Sequence, residues 1–474
     1  VAKPDGESVS APDKIPDSNT TFFFTDAKSR VVNLVFLSDS ISAQKISQSI
    51  AGQLLVETGE SVVLVEFTPG ETAGRTTAEK YDHKLDGLAT LPGDTFRDEL
   101  GLHRLRLKLS TETPDPEVVG EIFRKLRRQF RFVLVSIQAG KTPDPYLLAC
   151  VSKSNASHFF LRPAEAELFR LDLLLHEFHA QTNRPVPVEL KVVLCLGQNE
   201  KSGNFDRQIV NIGVSSPNLI RECPILARSD EPVSDDVVGG LFRADVRRLA
   251  RGLGDCLVGL ALSSGGAKGF AHIGVIQVLE ENDLDVDVVV GSSMGAYVGS
   301  IWASGHDGAK LEALAREMEV KRAMWGLIDP VIVPWQGLLR GYAVKRRLQR
   351  TIGEAQFSDL IRTLRIVAAH LDTMERMVFS TGEVATAVHA SIAVPGICIP
   401  VRIGEEVYID GGIVDPVPTD VLQEMGVRKI IAVNTIPTPE QIHECLQAER
   451  ELARLNPNKP RSLIRKLLPS KMYI

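Results

Sequence analysis

Apolar residues fall along the chain in short runs separated by longer amphipathic stretches. VVNLVFL (31–37) and SVVLVEF (61–67) are rich in β-branched residues and bracket an amphipathic segment, Ile41 to Glu57. Short apolar runs of this kind fit buried strands, and the strand–helix–strand spacing predicts a parallel sheet covered by helices. The alternation continues with a basic amphipathic helix over Ile122 to Phe130, strands FVLVSI (132–137), HFFL (158–161) and KVVLCL (191–196), and a helix over Ala164 to Phe178. A polar, acidic stretch with a terminal glycine pair, RSDEPVSDDVVGG (228–240), reads as a linker. An Arg-rich helix, Leu241 to Arg251, comes next. Strand 257–262, helix Phe270 to Glu281, strand Val286 to Val290 and helix Met294 to Ala303 then follow. The pattern predicts an α/β protein in five parts: a linker over 1–28, an α/β scaffold domain over 29–227, a linker over 228–240, a second α/β domain over 241–440 and a helical basic tail over 441–474.

Composition narrows the function classes. The chain has 474 residues, 44% of them apolar and 24% charged, which is ordinary for a soluble globular protein. Lys and Arg number 54 against 60 Asp and Glu, so the net charge is −6 and no chain-wide basic footprint for nucleic acid is expected. Six cysteines, at 150, 195, 223, 256, 398 and 445, form no CxxC pair. Neither a zinc cluster nor a dense disulfide framework is expected, and the reading is a reducing, cytoplasmic compartment. No run approaches the roughly 18 apolar residues of a membrane span. The opening VAKPDGESVSAPDKIPDSNT has no apolar signal-peptide core and lacks an initiator Met, as expected if Met was removed or the chain is a fragment.

A nucleotide would bind at the first loop of the first domain, FLSDSISAQKIS (36–47). A phosphate loop needs glycines so that backbone N–H groups can close on the phosphates, plus a Lys. No glycine occurs between Phe36 and Ala51, and Lys45 alone proves nothing. The order of elements resembles the ParA/MinD-type nucleotide-switch fold with a degenerate phosphate loop, and the expectation is a nucleotide-free scaffold.

The chemistry lies between 257 and 420. Strand 257–262 runs into a glycine-rich turn, Ser264-Gly265-Gly266-Ala267-Lys268-Gly269, ahead of a helix. Such a turn presents backbone N–H groups at the positive end of a helix, suited to a phosphate or to the oxyanion of a tetrahedral intermediate. Strand VDVVV then enters Gly291-Ser292-Ser293-Met294-Gly295, a Gly-x-Ser-x-Gly elbow between strand and helix that lifts Ser293 Oγ above the sheet edge. A serine nucleophile needs a base. Of the ten histidines, 306, 370, 389 and 443 follow Ser293, and none has a recognisable catalytic setting. In VYIDGGIVDPVP (407–418) a β-branched strand delivers Asp410 to Gly411 and Gly412. That is either a hairpin turn or a carboxylate placed as general base for Ser293. His272 is read as packing on its helix, and Trp325 and Trp335 as ordinary core near the pocket.

These pieces, in this order, resemble the patatin-like phospholipase family: a Gly-Gly-Gly-x-Arg/Lys-Gly loop at 264–269, the elbow at 291–295 and an Asp-Gly-Gly/Ala motif at 410–412. ATAVHASIAVPGICIPVRIGEEVYIDGG also resembles the family's Ala-Ser-x-Ala-x-Pro-Gly approach to its Asp. The Arg-rich lead-in, RADVRRLARGLGDCLVGLAL, is similar to the bacterial relatives of neuropathy target esterase, which often carry an upstream cyclic-nucleotide-binding domain; none is evident in this chain. The resemblance implies a three-layer catalytic domain around a central, mostly parallel sheet. It also implies a Ser–Asp dyad of Ser293 and Asp410, with no metal or cofactor. Gly265, Gly266, Lys268 and Gly269 would form the oxyanion loop, and the substrate would be a fatty acyl ester of a phospholipid or lysophospholipid. Ser264 stands where the family has Gly, and Lys268 where Arg is commoner. An acyltransferase using the same dyad and a non-catalytic lipid- or partner-binding module are the alternatives.

The last 19 residues, NPNKPRSLIRKLLPSKMYI, contain Lys459, Arg461, Arg465, Lys466 and Lys471 and no acid, with Leu463, Ile464, Leu467 and Leu468 at helical spacing. This is the pattern of an interfacial anchor on the inner membrane face, or of a helix docked on the catalytic domain.

Overall fold

The computed structural model describes residues 29–69, 93–98, 101–109, 116–140, 145–182, 189–203, 205–211, 217–223, 240–318, 329–331, 337–436 and six positions between 438 and 447. Residues 448–474 of the basic tail, Trp325 and Trp335 lie outside the described residues. The first sheet contains β1 (Arg30–Phe36), β2 (Val62–Pro69), β3 (Gly93–Arg97), β4 (His103–Leu109), β5 (Phe132–Gln138), β6 (Ala156–Leu161), β7 (Glu189–Cys195) and β8 (Asn218–Ile220). Its order is β3-β4-β2-β5-β1-β6-β7-β8, parallel except for the antiparallel edge pair β3–β4. Alternate residues of β1 feed opposite faces: Val32, Leu34 and Phe36 pack on α1 (Ala43–Thr58), while Val31 and Val35 join the cores of the other face. Burial on both sides is why the strand reads as an apolar run, broken only by Asn33, whose buried amide donates to Ser154 and Ser157.

Two helices of this unit begin away from the expected apolar residue, one at an N-cap and one at a proline. α1 starts at Ala43, not Ile41, because Ser42 is the N-cap and its hydroxyl accepts from Lys45 N–H. α2 (Pro116–Arg127) starts six residues before the expected Ile122, with Pro116 at the first helical position, where its fixed φ and missing N–H cost nothing. The unit continues through α3 (Pro145–Lys153), α4 (Glu165–Thr182) and α5 (Phe205–Asn211).

α6 (Gly240–Leu253) joins the two sheets. Its apolar face (Phe242, Val246, Leu249, Ala250, Leu253) lies in the same core cluster as β1 and α1. Its arginines reach both ways. Arg251 binds Glu57 Oε2 at 2.8 Å and Asp287 Oδ2 at 3.0 Å, and Arg247 Nε binds Glu57 Oε1 at 2.7 Å. Arg30, at the start of β1, donates to the Leu253 carbonyl and to Asp255, just ahead of the second sheet. The strands of the two sheets therefore face one another with their N-terminal ends. A cavity of about 470 Å³ between the units is lined by Arg30, Lys191, Arg221 and Arg365, and neither Ser293 nor Asp410 borders it.

The second sheet holds β9 (Val258–Leu262), β10 (Val288–Ser292), β11 (Thr363–His370), β12 (Arg376–Phe379), β13 (Val401–Ile403), β14 (Glu406–Asp410) and β15 (Lys429–Val433). The order is β13-β14-β11-β10-β9-β15, with β12 also on β11. β11, β10, β9 and β15 are parallel, while β12, β13 and β14 run antiparallel to their partners. α7 (Ala271–Glu281), α8 (Met294–Ala303) and α9 (Gly308–Glu317) share one core with Leu260, Leu262, Val289 and Ile366. α10 (Tyr342–Ile352) and α11 (Val384–Ser391) contribute to the same core, while α12 (Thr419–Glu424) covers the opposite face over Ala261, Val288 and Val290. This is a three-layer α/β unit. β10 runs two residues later than the expected Val286 to Val290, because its pairing with β11 continues through Gly291 and Ser292. Asp287 instead turns its carboxylate to Arg251 and to Val258 N–H. Among the described residues no helix is long and apolar enough to cross a membrane.

Candidate active site

The elbow is a strained turn. Ser293 joins β10 to α8 with φ 53° and ψ −116°, a conformation that costs a non-glycine residue on the order of 1–3 kcal/mol. The two glycines permit it in different ways. A Cβ at Gly291 would lie 2.5 Å from Ala296 N, inside the first turn of α8. One at Gly295 would lie 2.1 Å from the Leu262 carbonyl oxygen, so the second glycine clears strand β9 rather than the turn itself. Ser293 is 7% exposed, and its Oγ donates to Asp410 Oδ2 at 2.5 Å.

One strand sets that distance. On β11, Val367 pairs with Ser292 and the next residue, Ala368, pairs with Asp410. β12 occupies the other edge of β11 at both positions. β10 and β14 therefore end against the same edge, tip to tip. Gly411 crosses directly over this junction: a Cβ there would sit 2.2 Å from the Val367 oxygen. Gly412 N–H donates to Asp410 Oδ1 at 2.7 Å, which leaves Oδ2 for the serine. Burial raises the Asp410 pKa to about 6, against the lowering effect of the bonds from Ser293 and Gly412. The carboxyl is thus a base that is ionised above pH 6 and already in contact with the hydroxyl it would deprotonate.

The glycine-rich turn packs on the same helix end. Residues Gly266–Phe270 form a 3₁₀ turn leading into α7, and a Cβ at Gly269 would lie 2.3 Å from Met294 Cγ, the residue after the serine. Gly266 takes φ 54°, and the N–H groups of Gly265 and Gly266 have no acceptor among the described residues. Lys268 is exposed, and its N–H donates to the Gly265 carbonyl. Ser264 leaves the entry strand intact: β9 keeps its register with β10 and β15 as far as Leu262, and Ser264 N–H donates to the Pro416 carbonyl.

The histidines are engaged elsewhere. His306 bonds the Thr351 carbonyl, His370 bonds Glu406, His389 bonds the Arg340 carbonyl and His443 bonds Gln447. His272 is fully buried on its helix with Nε2 2.9 Å from the Ser263 carbonyl, and burial lowers its pKa, so the neutral ring buttresses the loop. The sequence reading passed over two parts of this site, β11 and Ser391. Ser391 Oγ donates to the Val367 carbonyl at 2.6 Å and accepts from Ser293 N–H at 2.9 Å. Its place in the Ala-Ser-x-Ala-x-Pro-Gly segment was the available signal.

Comparison with known proteins agrees with this region. Residues 260–422 match the family described as patatin-like phospholipase. Lysophospholipase NTE1 of Candida albicans is 27% identical over 195 residues, covering 41% of this chain and 14% of that protein. An uncharacterized NTE family protein of Mycobacterium tuberculosis is 36% identical over 186 residues, covering 39% of this chain and 50% of that protein. The chain thus spans half or less of the length of these relatives. Among solved structures, a ParA family ATPase from Chlorobium tepidum is similar at 15% identity and TM-score 0.35, over 47% of this chain and 98% of that one. VipD from Legionella pneumophila is similar at 18% identity and TM-score 0.23, over 34% and 46%. The chain carries a patatin-like phospholipase domain over residues 260–422, with relatives in the NTE family of fungi and mycobacteria.

Proposed function

We propose that the protein is a serine esterase that hydrolyses fatty acyl esters of phospholipids or lysophospholipids, with Ser293 as nucleophile and Asp410 as base. The observation that carries this reading is the 2.5 Å bond from Ser293 Oγ to a buried carboxylate with no histidine between them. Asp410 takes the hydroxyl proton as Oγ attacks the ester carbonyl. The N–H groups of Gly265 and Gly266, which have no acceptor among the described residues, receive the oxyanion, each such donor being worth about 2.7–4 kcal/mol in related chemistry. The alcohol leaves with the proton, and Asp410 then activates water to release the fatty acid. No step is routed through a metal or cofactor.

We further read residues 29–227 as a scaffold and 241–440 as the catalytic domain, in a cytoplasmic protein that meets lipid at the inner membrane face. Ile413, which follows the Asp-Gly-Gly motif, is 45% exposed and supports an apolar rim beside the site. The test is hydrolysis of lysophospholipid and of a p-nitrophenyl fatty ester, with labelling by a fluorophosphonate. Ser293→Ala abolishes labelling and turnover, while Ser292→Ala and Ser300→Ala retain both. Wild-type turnover in Ser293→Ala refutes the mechanism.

A further inference from the structure

We propose that Ser391 is a positioning residue for the nucleophile, holding the Ser293 backbone in its strained conformation so that Oγ stays on Asp410. The inference rests on the esterase reading and assigns a part to a residue outside the three motifs that led to it.

A hydroxyl has one proton to give, and Ser391 gives it to the carbonyl of Val367 at 2.6 Å. That aims an oxygen lone pair at Ser293 N–H, 2.9 Å away. Ser391 is 0% exposed, so water cannot substitute in either bond. Val367 is also the residue that pairs with Ser292, and its neighbour Ala368 pairs with Asp410. Ser391 therefore ties the elbow to the same point of β11 that fixes the base. Without that tie, a residue at φ 53° and ψ −116° has a buried amide with no acceptor and every reason to relax. Relaxation carries Oγ away from Oδ2, and displacement of a reacting group by about 1 Å can cost 100-fold in rate.

The same bond has a second consequence. Ser293 N–H is spent on Ser391 and is not available to an oxyanion.

Two variants test this, Ser391→Ala and Ser391→Cys, the second nearly matched in volume but a poor hydrogen-bonding partner. The readouts are steady-state hydrolysis of a p-nitrophenyl fatty ester across pH and the thermal midpoint. Both variants should lose about 10- to 100-fold in kcat, with KM within about twofold because no bond to substrate is removed. The acid limb of kcat/KM should move to higher pH, since the bond from Ser293 lowers the Asp410 pKa and is the one that weakens. Wild-type kcat with an unmoved acid limb in Ser391→Cys would show that filling the space suffices, and would overturn the proposal. Should Ser391→Ala fail to fold, Ser391→Cys decides alone. An inactive wild-type enzyme removes the esterase reading itself, whereas an active wild type matched by its Ser391 variants removes only the positioning role.

Discussion

Ser293 Oγ donates to Asp410 Oδ2 at 2.5 Å across 117 residues of chain, and the two are brought together by a strand that contains neither. Ser292 and Asp410 pair with consecutive residues of β11, Val367 and Ala368, so the dyad distance is a step along one backbone. Strand pairing tolerates little slippage where both faces of the sheet are buried.

The pH dependence follows from the raised pKa of Asp410. The base works as the carboxylate, and burial lifts its pKa to about 6. Activity should be full above pH 7 and fall about tenfold per pH unit below about pH 6, measured as kcat/KM on a neutral ester. Asp410→Asn should lower kcat by roughly 10²- to 10⁴-fold at pH 8. His443→Ala should leave it unchanged. An acid limb near pH 4, or an inactive His443→Ala, would contradict the assignment.

Ser264 and Gly412 form a complementary pair. A Cβ at position 412 would fall 2.7 Å from both Cβ and Oγ of Ser264. A side chain at position 412 should therefore not be tolerated beside Ser264. Gly412→Ala should lose at least about tenfold in kcat through displacement of the Asp410 cap, and Ser264→Gly in the same protein should restore most of it. A double variant no better than the single one would show that the clash is not the cause.

The contact between the two units should be a principal source of stability. Arg251, with a side chain 12% exposed, serves two carboxylates, Glu57 from α1 and Asp287 at the head of β10. Arg251→Met leaves both without that partner and should cost roughly 3 kcal/mol or more in chemical denaturation. Arg251→Lys should recover only part, because one ammonium cannot reproduce the guanidinium fork. A midpoint unchanged in Arg251→Met would mean the apolar face of α6 alone holds the units together.

The loop between β1 and α1 should not bind nucleotide. Ser38 and Ser40 bond to each other at 2.8 Å, and Gln138 Nε2 and the Arg170 guanidinium take up carbonyls around Leu37. Titration calorimetry with ATP and magnesium should give no heat beyond dilution. Binding at micromolar concentration would make this unit an active switch.

The local features were legible in the residues. Apolar runs announced β1, β5, β7 and β9, and the glycines of 265–269, 291–295 and 411–412 announced the turns of the site. The strands are decided by side-chain periodicity within about ten residues, whereas Gly269, Gly295 and Gly411 are required by the close approach of Met294, Leu262 and Val367. Helix starts depart from the apolar pattern where an N-cap, Ser42, or a first-turn proline, Pro116, sets them. The role of β11, the bond from Ser391 and the placement of the α6 apolar face in the N-terminal core depend on which strand lies beside which. TLRIVAAH reads as a strand of any sheet, and Ser391 as a small residue at a helix end. Their meaning comes from pairings between segments up to 98 residues apart. Such pairings are chosen by the burial of whole faces, a quantity that no short stretch of sequence carries.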